Sequence, residues 1–258
     1  MEYNRVFPYL NIQPLSLEDD YKSELDRHGI VLINVPTYFS NKEFMSIMGE
    51  LGYLIEESAA VESKYIEDNF ILNIKSDIEE NITMENEPFS IHGLRMHVEK
   101  AFSEQEKQPN YIALLCVTKP QEENGGQTIV RAMTDLISQF TVEELKAMKT
   151  LYPMSLDKSI ISKNPIYTLD KSRKLHYLSY RDLGRYGENW VFKHSNVNED
   201  LITAIVNKLE KYLYSSQHIR ALKWQPGFLY IFDNKKNFHA RTEQKNASKR
   251  RLKRIRVV

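Results

Sequence analysis

From about Asn69 onward the chain is written in short runs rich in apolar, β-branched and aromatic residues, and no helical pattern alternates with them. The runs are Phe70 to Ile74, Tyr111 to Val117, Thr128 to Arg131, Leu175 to Tyr180, Phe228 to Phe232 and Leu252 to Val258. Parallel strands need a crossover between successive members, usually a helix. This texture therefore argues against a parallel α/β plan and predicts a mainly β, antiparallel core.

Helices decorate that core. Ser16 with Asp19 three residues later predicts an N-cap, Leu17, Tyr21 and Leu25 recur at helical spacing, and Gly29 follows as a stop. A strand over Ile30 to Val35 comes next, closed by Pro36. Ser40-Asn-Lys-Glu43 announces a second helix ending near Gly52, with Phe44, Ile47, Met48 and Leu51 as its apolar stripe. Further helices are expected from Thr141-Val-Glu-Glu144 onward and over Leu201 to Tyr214, where Leu201, Ile205, Leu209, Tyr212 and Leu213 line one face. With 258 residues and neither repeat nor linker, one domain over 1–258 is expected, its residues 1–60 forming a helical and strand flank.

Charge excludes some partners. Thirty-five basic residues balance thirty-five acidic ones, so no net field draws the chain to nucleic acid or to an anionic membrane. No apolar run approaches a membrane-spanning length, and Met1 to Val6 lacks a signal-peptide core, which gives a cytoplasmic location as the expectation. The sole cysteine, Cys116, lies in an apolar run where burial accounts for it. Asn124-Gly-Gly126 lies between two strands and lacks the Lys-Ser/Thr of a phosphate loop, so it is expected to be a turn.

His97-Val-Glu99 is the most informative tripeptide. Residues two apart on a strand point to the same side, so their head groups can converge on one ion. Such a tripeptide also occurs by chance, and a third ligand must come from elsewhere. His239 is the candidate, placed after the strand Phe228 to Asn234 and a short turn. Two imidazoles and one carboxylate leave other coordination positions open, the arrangement of non-haem Fe(II) oxygenases. His28, His92, His176, His194 and His218 are expected to be surface or satisfied core residues; His92, an odd number of positions from His97, would face the other way on a continuous strand.

The basic tail Lys249 to Arg256 reads first as a solvated face. Its alternation argues otherwise: on a strand, Arg250, Leu252 and Arg254 share one face, while Arg251, Lys253 and Ile255 share the other. An inward guanidinium needs a carboxylate, either a ligand's or a protein partner's. Arg250 and Arg254 stand roughly 13 Å apart on an extended strand, which suggests two different anions.

Taken in order, Met96 to Phe102, Pro109 to Cys116, Gly125-Gly-Gln-Thr-Ile-Val130, Gly227 to Asn234, His239-Ala-Arg-Thr242 and Arg250 to Arg254 resemble the clavaminate synthase-like and taurine dioxygenase-like (TauD/TfdA) branch of Fe(II)/2-oxoglutarate-dependent oxygenases. The resemblance covers Leu94 to the C-terminus well and Asp135 to Gln225 loosely. It implies a double-stranded β-helix, or jelly roll, with residues 69–258 as its core. By the same resemblance His97, Glu99 and His239 hold Fe(II), while Arg250 and Thr128 bind the distal carboxylate of 2-oxoglutarate. Arg254 meets an anionic group of the substrate or lies beside the cosubstrate. Glu99 argues against a halogenase, which has glycine or alanine at that position.

The activity implied is hydroxylation of an unactivated C–H bond with O2, releasing succinate and CO2. A free or carrier-bound amino acid is the leading substrate class; a sulfonate oxygenase of the taurine type and a non-catalytic jelly-roll binding protein are the alternatives. The polar and aromatic stretch Arg181 to Trp190 is a candidate loop over the pocket, though an ordinary exposed loop is the commoner explanation of such residues.

Overall fold

The antiparallel texture resolves into two facing sheets in the computed structural model, which describes residues 7–57, 61–76, 87–119, 125–154, 161–182, 191–193, 197–244 and 248–258. In chain order the strands are β1 (Ile30–Asn34), β2 (Ile66–Glu67), β3 (Ile71–Ser76), β4 (Leu94–His97), β5 (Tyr111–Thr118), β6 (Thr128–Ala132), β7 (Tyr152–Met154), β8 (Tyr167–Asp170), β9 (Leu175–Leu178), β10 (Val191–Lys193), β11 (Arg220–Ala221), β12 (Phe228–Asp233), β13 (Asn237–Arg241) and β14 (Ser248–Val257). The helices are α1 (Tyr21–His28), α2 (Asn41–Gly49), α3 (Met133–Ile137), α4 (Val142–Met148) and α5 (Glu199–Leu213).

The larger facing sheet runs β1-β12-β5-β14-β3-β2 and the smaller β11-β6-β13-β4, while β10-β7 and β8-β9 form two separate two-stranded ribbons, and neighbouring strands pair antiparallel throughout. Period-2 alternation sorts the six-stranded sheet. Leu32, Ile112, Leu114, Tyr230, Phe232 and Leu252 face the opposing sheet, with Val130, Leu222 and Trp224 in the same cluster. Their neighbours Ile33, Ala113, Leu115, Ile231, Ile255 and Val257 face outward, where Tyr21 and Leu25 of α1 and Phe44 and Met48 of α2 cover them. On the far side of the four-stranded sheet, Met96, Ile129, Phe238 and Ala240 pack with Leu136, Met148, Ile205, Leu209 and Leu213. A jelly roll between two helical layers results.

Local signals explain most element ends. Ser40 and Glu43 make the reciprocal capping box of α2, and Thr141 and Glu144 repeat it on α4. Gly29 closes α1 at φ 70, its N–H donating to the Leu25 carbonyl. Two expectations need correction. Helix α1 begins at Tyr21 with Asp20 as its cap, because the Ser16 amide and hydroxyl both donate to Asp19 and close a separate turn. Residues 1–60 are also more than a flank: β1 pairs with β12 over Ile30 to Asn34 and so belongs to the main sheet. Among the described residues, no helix is long and apolar enough to cross a membrane. Residues 183–190 of the candidate loop and Asn124 lie outside the described residues.

Candidate metal centre

Strand pairing builds the centre. His97 closes β4 and pairs directly with His239 of β13, bringing the ring centroids to 4.0 Å. The strand expected to carry both members of the tripeptide ends at His97, and Glu99 sits in the turn beyond it. Alternation persists through that turn, since Val98 is buried in the outer core while Glu99 points back toward the histidines. Asn234 fixes this geometry, its Oδ1 accepting the Glu99 amide at 2.9 Å and its Nδ2 donating to the Glu99 carbonyl at 3.2 Å. His239 follows β12 and a short turn, as expected, and lies within a strand of its own, β13.

The three head groups converge. Glu99 Oε2 is 3.6 Å from His97 Nε2 and 3.9 Å from His239 Nε2, and one ligand atom from each residue lies within 4.8 Å of the others. His97 Nδ1 lies 2.8 Å from the Arg95 carbonyl, which places the ring proton there and leaves the Nε2 lone pair toward Glu99. Burial alone would raise the Glu99 carboxyl, but Arg254, His97 and Arg256 hold it well below the carboxylate range. Burial, first of all, pushes His239 well below the usual imidazole range. A carboxylate anion and a neutral imidazole are the forms a metal requires.

This is the one group of three metal-capable side chains among the described residues. His28 pairs with Glu24, His92 with Glu243 and His218 with Asp135, while His176 stacks on Tyr167; His194 lies outside the described residues.

A cavity of about 190 Å³ opens beside the centre. The even-numbered face of β14 supplies Arg250, Leu252, Arg254 and Arg256 to its wall, and β6 supplies Thr128. Arg250 is 3% exposed; it donates to the Gly126 carbonyl at 3.1 Å, and burial draws its guanidinium down to about 10. Trp224 Nε1 donates to Thr128 Oγ1 at 3.3 Å, so the threonine's own proton is free to point elsewhere. Arg254 meets protein carboxylates, Glu99 at 3.1 Å and Glu57 at 3.2 Å. Arg250 and Arg254 thus serve different groups.

Two further arginines line the cavity. Arg181, whose residue bridges His97 in the backbone, pairs with Glu87, and Arg241 donates to carbonyls of the 87–92 segment, among them Pro88 and His92. The sequence reading missed Glu57, Asn234 and Arg256. Only Arg256 carried a signal, as the next even position after Arg254.

The family model described as taurine catabolism dioxygenase TauD, TfdA family matches residues 6–256. Among solved structures, PvcB from Pseudomonas aeruginosa aligns at a TM-score of 0.67 and 18% identity, covering 92% of this chain and 78% of that one. Asparagine oxygenase in complex with Fe(II), 2S,3S-3-hydroxyasparagine and succinate aligns at 0.63 and 16%, covering 92% and 77%. The non-heme iron oxygenase OrfP, as a variant in complex with (3S)-hydroxy-L-Arg, aligns at 0.62 and 16%, covering 93% and 78%. No curated protein matches the chain. With the jelly roll in place, a His-Glu-His group able to bind metal and a family match over nearly its whole length, the chain belongs to the TauD/TfdA family of 2-oxoglutarate-dependent dioxygenases.

Proposed function

We propose that His97, Glu99 and His239 hold Fe(II), that Arg250 and Thr128 hold the distal carboxylate of 2-oxoglutarate, and that the enzyme hydroxylates a C–H bond of a free or carrier-bound amino acid. The observation that carries this reading is that all five side chains face one cavity, the ligand triad converging beside the anion-binding pair. The donor set fits the ion: two imidazoles and one carboxylate on one face suit Fe(II) and leave the remaining positions open. Iron and cosubstrate, when bound, supply the oxidising chemistry through oxidative decarboxylation to succinate and CO2.

The protein's share is placement. Arg250 presents a buried, desolvated guanidinium, which pairs with a carboxylate more strongly than an exposed one would. Thr128 adds a hydroxyl donor, and Leu72, Ile112, Leu114 and Leu252 offer an apolar sleeve to a methylene chain while excluding water. Beside the triad, the wall carries both signs of charge, Arg254 and Arg181 against Glu57 and Glu99. That mixture suits a zwitterion; Arg254, held by Glu57 and Glu99, would meet the substrate's carboxylate only by exchanging one of them. The structures of asparagine oxygenase and OrfP, which hold hydroxylated amino acids, support the same substrate class.

The test incubates purified protein with Fe(II), 2-oxoglutarate, O2 and single amino acids, with taurine in parallel, and follows succinate and product mass. An amino acid that accelerates succinate release and gains one oxygen atom is the expected result. Acceleration by taurine alone would replace the amino acid with a sulfonate, a reading that the arginine-rich wall favours.

A further inference from the structure

Glu99 has two oxygens, and the structure gives them different work. Oε2 faces the imidazoles of His97 and His239. Oε1 faces away from them, 3.1 Å from Arg254 Nη1 and 3.3 Å from Arg256 Nη1. The second nitrogen of each guanidinium reaches Oε2 of Glu57, at 3.2 Å from Arg254 and 2.9 Å from Arg256. Two arginines and two glutamates close a ring. Its side chains are at most 12% exposed, and Glu57 is 1% exposed.

The geometry points to Arg256 and Glu57 as positioning residues for the metal carboxylate: they hold Oε1 of Glu99 away from the ion so that Oε2 alone is offered to it. This rests on the metal role proposed above for Glu99. A glutamate has one more rotatable bond than an aspartate, and an unrestrained carboxylate can chelate through both oxygens. Chelation would consume a coordination position that the three-ligand arrangement leaves open. Donors on Oε1 prevent this, and Glu57 keeps the two guanidiniums from pulling Glu99 off the ion by taking their other nitrogens. Arg256 touches no reacting group and acts through Glu99.

Charge and positioning predict opposite signs, which makes the idea testable. Removing a cation beside a dication strengthens metal binding if only Coulomb attraction matters. Co(II) titrated into apoprotein, followed by calorimetry and by visible d–d absorption, reads both affinity and coordination without turnover. For Arg256→Met the expected result is a dissociation constant raised about tenfold, the scale seen when partners of metal ligands are removed, with altered d–d intensity. Binding as tight as wild type or tighter, with an unchanged spectrum, overturns the assignment. Should Arg256→Met fail to fold, Arg256→Lys keeps the charge but loses the fork; weaker binding or a changed spectrum supports positioning, and identity with wild type in both overturns it. A wild-type protein that binds no Co(II) would overturn the metal reading itself, and this inference with it.

Discussion

His97 and His239 are directly opposed residues of neighbouring antiparallel strands, with ring centroids 4.0 Å apart. The metal candidate therefore sits on the seam between β4 and β13, and an ion bound there ties the two strands together. A ligand that binds only the folded state stabilises it by about 2.7 kcal/mol at a hundred times its dissociation constant. Co(II) at such excess should raise the melting temperature of the apoprotein by several degrees, and His239→Ala should abolish that shift. A full shift in the variant would remove His239 from the ligand set.

Glu99→Ala should eliminate substrate-dependent succinate formation. It also leaves Arg254 and Arg256 sharing Glu57 as carboxylate partner, so stability should fall by about 3 kcal/mol, the scale for breaking a buried ion pair. Urea denaturation beside a succinate assay measures both. Unchanged turnover would show that another residue supplies the carboxylate.

Arg250→Ala should raise the concentration of 2-oxoglutarate needed for half-maximal turnover by roughly 10- to 100-fold, as loss of a charged hydrogen-bonding pair worth about 1.5–3 kcal/mol implies. Arg254→Ala should raise it far less, since Arg254 bridges Glu57 and Glu99. Initial rates at varied 2-oxoglutarate separate them, and the reverse order would exchange their roles.

A pH effect is expected away from the centre. Asp170 and Lys235, 2% and 4% exposed, pair at 2.6 Å and join the β8–β9 hairpin to the turn before β13. Burial alone would raise the Asp170 carboxyl, but Lys235, Ser172 and the Arg173 amide hold it at about 2. The folded value lies below the unfolded one of about 3.9, so this pair's stabilisation is complete above about pH 4 and is lost as the pH falls toward 2. Urea midpoints of wild type and Asp170→Asn should differ most at neutral pH and converge near pH 2. A gap constant across that range would contradict the linkage.

How much the sequence disclosed depended on how local the determining contacts are. Alternation along Tyr111 to Val117 and Phe228 to Phe232 marked β5 and β12, because one face meets the opposing sheet and the other meets helices. The capping box at Ser40 and Glu43 marked the start of α2 for the same local reason. Strand β13 was not marked: Asn237, His239 and Arg241 are buried polar residues held by partners distant in sequence. Glu57 was illegible because its meaning lies in Arg254 and Arg256, nearly two hundred positions later. Asn234 likewise acquires its role only when folding brings Glu99 to it. Strand parity gave a physical reason for His97, Glu99 and Arg250 to face inward, whereas Thr128 was named by resemblance alone; all four line the cavity.

The most direct test of the central claim is an anaerobic titration of apoprotein with Fe(II) and then 2-oxoglutarate, followed by visible absorption for charge transfer between metal and chelating keto acid. Wild type should bind one Fe(II) equivalent and develop the band, His97→Ala, Glu99→Ala and His239→Ala should each fail to do so, and Arg250→Ala should need far more 2-oxoglutarate to reach it. Full development of the band in all three ligand variants would contradict the account.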